Sequence, residues 1–401
     1  MTKLIKMVLM AVVVAGVMFQ SVSYAEEVGQ PFRFSVGASA EWTDNRDAVE
    51  LNKQDNIDYR ISPRLDYVYS GEASGVNLYY EPSLRYRTEP GDTSDDTMWE
   101  QDFGLNATHK LSERSRLKLY ENFKYTDDPQ IENGGAVVRG NHTYSANTVK
   151  GVFNTDLLRY SNLDLAVLNR FKSYEDDIIA KTSDEGSTSF DAAHRYQINQ
   201  TLRSVLGASY LMYTYDNSLS RDFNSIIAKV GVENAFTPTT LGVLTAGLQT
   251  RDYDDADMKA DEEPYFMASL ENKAGGDLTI GATIEHGVRD TDAFPFSSQV
   301  YSEVRGFGHM NVAPEIVLSA LLVYRESEYD EDSIPAGARD DFFTGGETSG
   351  DETTLIGDLN LAFNMIHNVS MFVGYRYENV DSDVAQTYSK NTGRLGASLN
   401  F

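Results

Sequence analysis

From residue 31 to Phe401 the apolar residues of this chain recur at every second position far more often than at helical spacing. One stretch sets Ile57, Tyr59, Ile61, Leu65, Tyr67 and Tyr69 against Asp58, Arg60, Ser62, Arg64 and Asp66. The next sets Val76, Leu78, Tyr80, Leu84 and Tyr86 against Asn77, Glu81, Ser83, Arg85 and Arg87. The alternation returns over Ile226–Val232, Leu278–Ile284, Leu355–Phe363 and Val369–Tyr377, and again where Leu395, Ala397, Leu399 and Phe401 oppose Arg394, Gly396, Ser398 and Asn400. Each of these stretches has one face free of charge. A Lys or Arg pointing into lipid at mid-bilayer costs about 2–4 kcal/mol, so a charge-free face on strand after strand predicts a wall wetted by hydrocarbon. Thr143–Phe153, Phe190–Ile198 and Val300–His309 have mixed faces and are assigned as strands because the turn rhythm requires partners there.

Short connections near residues 71–75, 112–115, 154–162, 199–203, 237–240, 274–277, 310–314 and 365–368 alternate with longer, acidic ones near 45–55, 88–97, 126–140, 175–187, 216–224, 252–263, 290–297, 326–352 and 378–387. Short turns on one rim and long loops on the other are what a closed sheet crossing an outer membrane requires. The expected fold is therefore all-β, a transmembrane antiparallel up-and-down β-barrel of about 18 strands, or about 16 if the mixed segments drop out, with both sheet ends in the periplasm. The longest connection, 326–352, carries Gly337, Gly345, Gly346 and Gly350 and is the expected segment to fold into a pore.

Residues 1–25 combine Lys3 and Lys6, an apolar stretch from Met7 to Phe19 and the small-residue site Ser23-Tyr24-Ala25, which reads as a secretory signal peptide removed near Ala25. Residues 26–401 then form the barrel domain. The apolar stretch is shorter than the roughly 20 residues a spanning helix needs, and no later one approaches it. At the other end, Gly396-Ala397-Ser398-Leu399-Asn400-Phe401 resembles the C-terminal assembly signal of bacterial outer-membrane barrels, with Gly396, Leu399 and Phe401 at the matching positions. Leu395 stands where that pattern usually has a polar residue. The resemblance implies recognition by the barrel-assembly machinery and residence in the outer membrane of a Gram-negative bacterium, among lipid and lipopolysaccharide.

Charge sharpens the picture. The formal net charge is −27, and nearly all the excess falls in the long connections, leaving the strands and short turns close to neutral. Such segments repel themselves and stay hydrated. An acidic surface also excludes nucleic acid as a partner. Cys is absent, so no disulfide or thiolate metal site exists. The run from Asp252 to Asp257, with Glu263 beyond it, partly matches a Ca²⁺ loop but lacks its glycine, and no metal or other cofactor is expected. His109, His142, His194, His286, His309 and His367 are scattered, with no zinc-protease, nucleophile-elbow or phosphate-loop motif, so no enzyme is expected.

The remaining chemistry lies on the polar strand faces. Arg60, Arg64, Arg85, Arg87, Arg116, Lys118, Lys124, Arg170, Lys172 and Arg376 are the candidates to line the lumen, alongside the pairs Glu271–Lys273, Glu285–Arg289 and Arg376–Glu378. Concentrated in the first half of the chain, the basic residues suggest one positively biased wall. In strand rhythm, Tyr-rich strands and terminal Phe the chain resembles the putative β-barrel porin family, some of whose members accompany exopolysaccharide-synthesis genes. That resemblance implies a channel and transfers no site residues. Three readings follow: a porin-like channel for passive diffusion of small hydrophilic solutes, a conduit for exopolysaccharide, or a surface adhesin or scaffold with acidic loops. The sequence sets no oligomeric state.

Overall fold

The computed structural model describes residues 31–89, 96–127, 143–177, 180, 184–216, 221–255, 258–291, 293, 296–334, 349–366 and 368–401; the expected signal peptide lies outside them. The strands are β1 (Phe32–Thr43), β2 (Asn56–Ser70), β3 (Ser74–Arg87), β4 (Thr97–Lys110), β5 (Ser115–Thr126), β6 (Tyr144–Leu158), β7 (Ser161–Tyr174), β8 (Glu185–Gln197), β9 (Leu202–Tyr215), β10 (Phe223–Thr237), β11 (Thr240–Tyr253), β12 (Asp261–Ala274), β13 (Leu278–Asp290), β14 (Ser298–Ala313), β15 (Ile316–Tyr329), β16 (Gly350–Ile366), β17 (Val369–Ser382) and β18 (Tyr388–Asn400). They form one 18-stranded sheet in which each strand pairs with its sequence neighbours and β1 pairs with β18. All pairings are antiparallel, and the ring closes from Ser35↔Asn400 to Thr43↔Thr392.

Closure imposes a test that an open sheet does not. Residues directly opposite in a ladder share a face, so a face followed around the ring must return to itself. It does: Arg60 faces Arg85, and after a full circuit Arg394 faces Glu41, which in turn faces Asp58. Every Lys and Arg within the strands lies on this one face, from Arg33 on β1 to Lys390 and Arg394 on β18. The other face carries the exposed large hydrophobics, among them Leu65, Leu206, Val230, Leu248, Ile284, Leu322 and Leu395. The strand cations therefore point inward and the apolar wall meets lipid.

The short turns lie on one rim with the free ends of β1 and β18, where the Phe401 amide donates to the Phe34 carbonyl at 2.8 Å. Gly275 and Gly276 hold φ of 65° and 81° in one of these turns, a backbone region that favours glycine. Several strands run further than the alternation suggested. β6 extends to Leu158 and β7 begins at Ser161, β14 continues to Ala313, and β15 and β16 take both ends of the segment expected as a loop over 326–352. A one-residue register shift precedes the turns after β6, β10 and β14, and the residues there, Leu157, Phe236 and Val312, are apolar and exposed. Bulges hid these strand ends, because an extra residue breaks the period of two.

Candidate functional site

The inner wall differs along its height. Near the periplasmic rim its side chains are open to water, as at Asn106, Thr108, Arg116 and Arg203. Toward the long-loop rim they are buried: Arg85 is 1% exposed, Arg251 0% and Arg325 2%. Two features fill the upper lumen.

The first is a set of ion-pair clusters fixed by strand register. On β2–β5, Arg60 contacts Glu100 at 2.7 Å, Arg85 contacts Glu100 at 3.2 Å and also Asp127, and Arg87 contacts Asp127 at 2.6 Å and Asp58 at 3.6 Å. Ser83 and Thr126 donate to Glu100 at 3.0 and 2.7 Å. On β13–β15, Glu303 gathers Arg325 at 2.7 Å, Arg305 at 2.9 Å and Arg289 at 3.7 Å. Asp358 takes Arg394 at 2.7 Å and Arg376 at 3.8 Å, and Arg376 also meets Glu378. Of the expected pairs, Glu271–Lys273 forms at 2.8 Å. Glu285 and Arg289 do not meet: Glu285 accepts from Tyr265 at 3.2 Å, and Arg289 turns to Glu303.

The second is a hairpin that leaves the wall. β12 and β13 are paired only up to Phe266↔His286, while β13 stays paired with β14 to Asp290↔Ser298. Above the split, the inward side chain of Gln249 on β11 donates to the Val288 carbonyl at 2.6 Å and accepts from its amide at 2.9 Å, and Arg251 donates to the Arg289 carbonyl at 3.0 Å. The top of β13 at Val288 and Arg289 thus lies against the inside of β11. From the loop before β10, Arg221 stacks on Tyr215 at 3.9 Å and donates to the carbonyls of Thr291 and Phe296, and the Tyr215 hydroxyl donates to Thr291 at 3.1 Å. Beneath, a cavity of about 100 Å³ is lined by Arg170, Lys172, Glu185, Ser187, Tyr213 and Asp290, which joins β13 to the wall of β7–β9. The segment 326–352 was the expected inward loop. After β15 the turn Glu331–Ser333 leads into Ile334, which clusters with Phe296 and Tyr329, while 335–348 lies outside the described residues.

All ten candidate lining residues lie on the inner face, and the structure separates them into two groups. Arg60, Arg64, Arg85, Arg87, Lys172 and Arg376 are held by carboxylates; Arg64 contacts Asp66 at 2.9 Å and Glu81 at 3.0 Å, and Lys172 contacts Glu185 at 2.7 Å. Arg116, Lys118, Lys124 and Arg170 have no carboxylate in ion-pair range among the described residues, and Lys150, outside the ten candidates, joins them. Register stacks these five. Lys124 lies level with Ala146 and Lys172, Arg170 with Thr148 and Asn122, Lys150 with Tyr120 and Leu168, Lys118 with Val152, and Arg116 with Asn154. The levels are two residues apart, roughly 6.6 Å along a strand, so cationic groups follow one another down β5–β7 from the constriction to the periplasmic rim. Lys150 escaped notice because Asn147 interrupts the apolar face of its strand.

Gly396, Leu399 and Phe401 sit at the seam. Leu399 is opposite Val36 and Val369, the rings of Phe34 and Phe401 lie 5.7 Å apart, and a Cβ at Gly396 would fall 2.4 Å from the Phe372 ring. No group of His, Asp or Glu among the described residues is arranged to hold a metal; Asp252 is on β11, Asp254 and Asp255 follow it in the connection, and Glu263 is on β12.

The family described as Putative beta-barrel porin 2 matches residues 184–401. The chain belongs to this family. The porin is similar in fold to solved structures from Pseudomonas aeruginosa, including OccK2 (OpdF), at 12% identity and a TM-score of 0.49 over 92% of this chain and 97% of that one. OccK5 (OpdH) is 14% identical, with a TM-score of 0.48 over 92% and 98%. The siderophore receptor PirA is 8% identical, with a TM-score of 0.45 over 94% and 81%. One structure of OccK2 holds glucuronate. No curated protein matches the chain. An outer-membrane porin-type barrel accounts for the apolar exterior, the charged interior and the loop asymmetry together.

Proposed function

We propose that this porin lets small hydrophilic solutes diffuse passively across the outer membrane, with a bias toward anions. The observation that carries the reading is the column Lys124, Arg170, Lys150, Lys118 and Arg116, cationic from the upper lumen to the short-turn rim, while the basic residues around Glu100, Glu303 and Asp358 are matched by carboxylates. Unneutralised charge on a confined wall concentrates counter-ions and repels co-ions. The Debye length is about 10 Å at 0.1 M salt, so the column acts across much of a lumen of this size. In a planar bilayer under a KCl gradient, the reversal potential is expected on the anion side. The triple variant Lys118→Gln, Lys150→Gln, Arg170→Gln should lose that preference and keep conducting. Cation preference of the unmodified porin at 1 M KCl, where rim charges are screened within about 3 Å, would overturn the reading.

Export of an anionic polysaccharide is the second reading. It is favoured by the basic foot of the column, where Lys110, Arg114 and Arg159 are exposed at the periplasmic rim. It predicts a deletion strain that loses surface polysaccharide while uptake of small solutes is unchanged. Export guided by residues 1–25 and assembly through Gly396, Leu399 and Phe401 complete the proposal. Removing Phe401 is expected to lower the amount of barrel in the outer membrane.

A further inference from the structure

The outer wall is uncharged along the middle of its strands with one exception. Glu121 stands on β5 opposite Leu105 and Val149, on the face shared with Leu117, Leu119 and Phe123. It lies between Ser115 at the periplasmic end and Thr126 at the loop end, at the depth of the hydrocarbon core. The other outward carboxylates, such as Asp252, Glu262, Glu326 and Asp381, lie close to the long-loop ends of their strands. No hydrogen bond or ion pair ties Glu121 to any described residue, and no strand offers an outward Lys or Arg. Ionisable groups at this depth are costly and as a rule face protein or water rather than lipid.

Glu121 is not isolated in kind. Asn147, the next strand's residue one level above, points outward between Phe123 and Phe171, and its Oδ1 is buried without a hydrogen-bond partner. Asn169, level with Glu121 across Val149, is exposed and donates to Thr188 at 2.9 Å. Below them Gly151 leaves open space where a Cβ would stand. The surround is apolar and exposed, with Leu119, Val167 and Phe171 around the polar triangle. A carboxyl beside a carboxamide is self-complementary. A two-fold axis between them sets each Glu121 against the other copy's Asn147, so one amide donates to a carboxyl oxygen and the reciprocal bond forms at the same time. The glycine gap admits close approach of the two walls, as small residues do at contacts within membranes.

We propose that the outer face of β5–β7 is the surface on which two copies of this chain pair in the membrane, through reciprocal Glu121–Asn147 contacts around Val149. The absence of Cys allows a direct test. Val149→Cys and, as a second probe, Gly151→Cys are oxidised in outer-membrane fragments beside Leu359→Cys on the distant wall. Both β6 probes should give a dimer of this chain and Leu359→Cys only monomer. Heat-modifiable electrophoretic mobility reports that each variant is folded. Glu121→Leu in the Val149→Cys background should reduce the dimer at least tenfold, and Glu121→Gln, which keeps a complementary pair, should restore it. Three outcomes overturn the proposal: monomer from both β6 probes in folded barrel, dimer yield equal at Leu359→Cys, or a cross-linked product containing a different protein.

Discussion

Three aromatic side chains lie flat on the inner wall because a glycine faces each of them across the ladder. Tyr79 is paired with Gly104, Phe307 with Gly281 and Phe372 with Gly396. A Cβ at Gly104 would stand 2.1 Å from the Tyr79 ring. Gly104→Val is therefore expected to drive the ring off the wall and cost about 1–3 kcal/mol, as overpacking does, read as a lower temperature of electrophoretic heat modification. Arg85 works the other way, as a buried cation that exists for its neighbours. Arg85→Met leaves Glu100 and Asp127 undercompensated and should cost about 3–5 kcal/mol, measured by urea unfolding in detergent. Outside the membrane, Asp222 accepts from the Tyr215 amide at 2.8 Å. Burial, with Asp254 and Asp216 nearby, pushes its carboxyl above the ordinary carboxylate range. A raised folded-state pKa means the folded loop holds the proton more tightly than the unfolded chain. The resulting stabilisation is complete below the unfolded pKa and disappears as pH rises through the folded one. Thermal unfolding from pH 3 to 7 should show this, and Asp222→Asn, which keeps an acceptor oxygen, should flatten that part of the dependence.

Among elements, the decisive one is the β13–β14 hairpin. β13 loses its ladder with β12 above His286, and side chains of β11 satisfy the freed backbone of Val288 and Arg289 instead. Arg221, from the loop before β10, adds to the arrangement by donating to the carbonyls of Thr291 and Phe296. Arg221→Gln shortens the reach and removes the charge, so the hairpin should loosen and single-channel conductance should rise. Unchanged conductance would mean that the hairpin does not limit flow. How far the elements were legible follows from the same physics. β2 and β3 could be read from sequence because each face has one environment, lipid or lumen, and the period of two records it. β6 was legible only from the turn rhythm, because Asn147 sits on its lipid face and breaks the alternation, and that position is the one now assigned to a contact between copies. The inward hairpin left no signal in the alternation. Residues 290–297 form a shorter connection than 326–352 and contain no glycine, whereas length and glycine content are what mark an inward loop in sequence.

At the scale of the molecule, charge is sorted along the pore axis. The long-loop rim is acidic, with Asp44, Asp176, Asp216, Asp254 and Asp330 among many, and the column on β5–β7 is basic. Cations then predominate at the outer end and anions at the inner end. When the outer side is positive, both are driven toward the junction and fill the pore; the opposite polarity empties it. At 0.1 M salt the porin should pass more current with the outer side positive, and at 1 M, where screening is about 3 Å, the asymmetry should vanish. Symmetric current at low salt would count against this charge map. The sequence by itself determined the barrel: a period of two, a charge-free face and alternating loop lengths suffice, because a closed sheet in lipid admits one assignment of each residue to wall or lumen. Only the tertiary structure decided which lumen cations are neutralised, which hairpin enters the pore and where the lipid face turns polar. Those outcomes depend on which side chains register brings level on neighbouring strands, and two residues far apart in sequence meet only after the ring has closed.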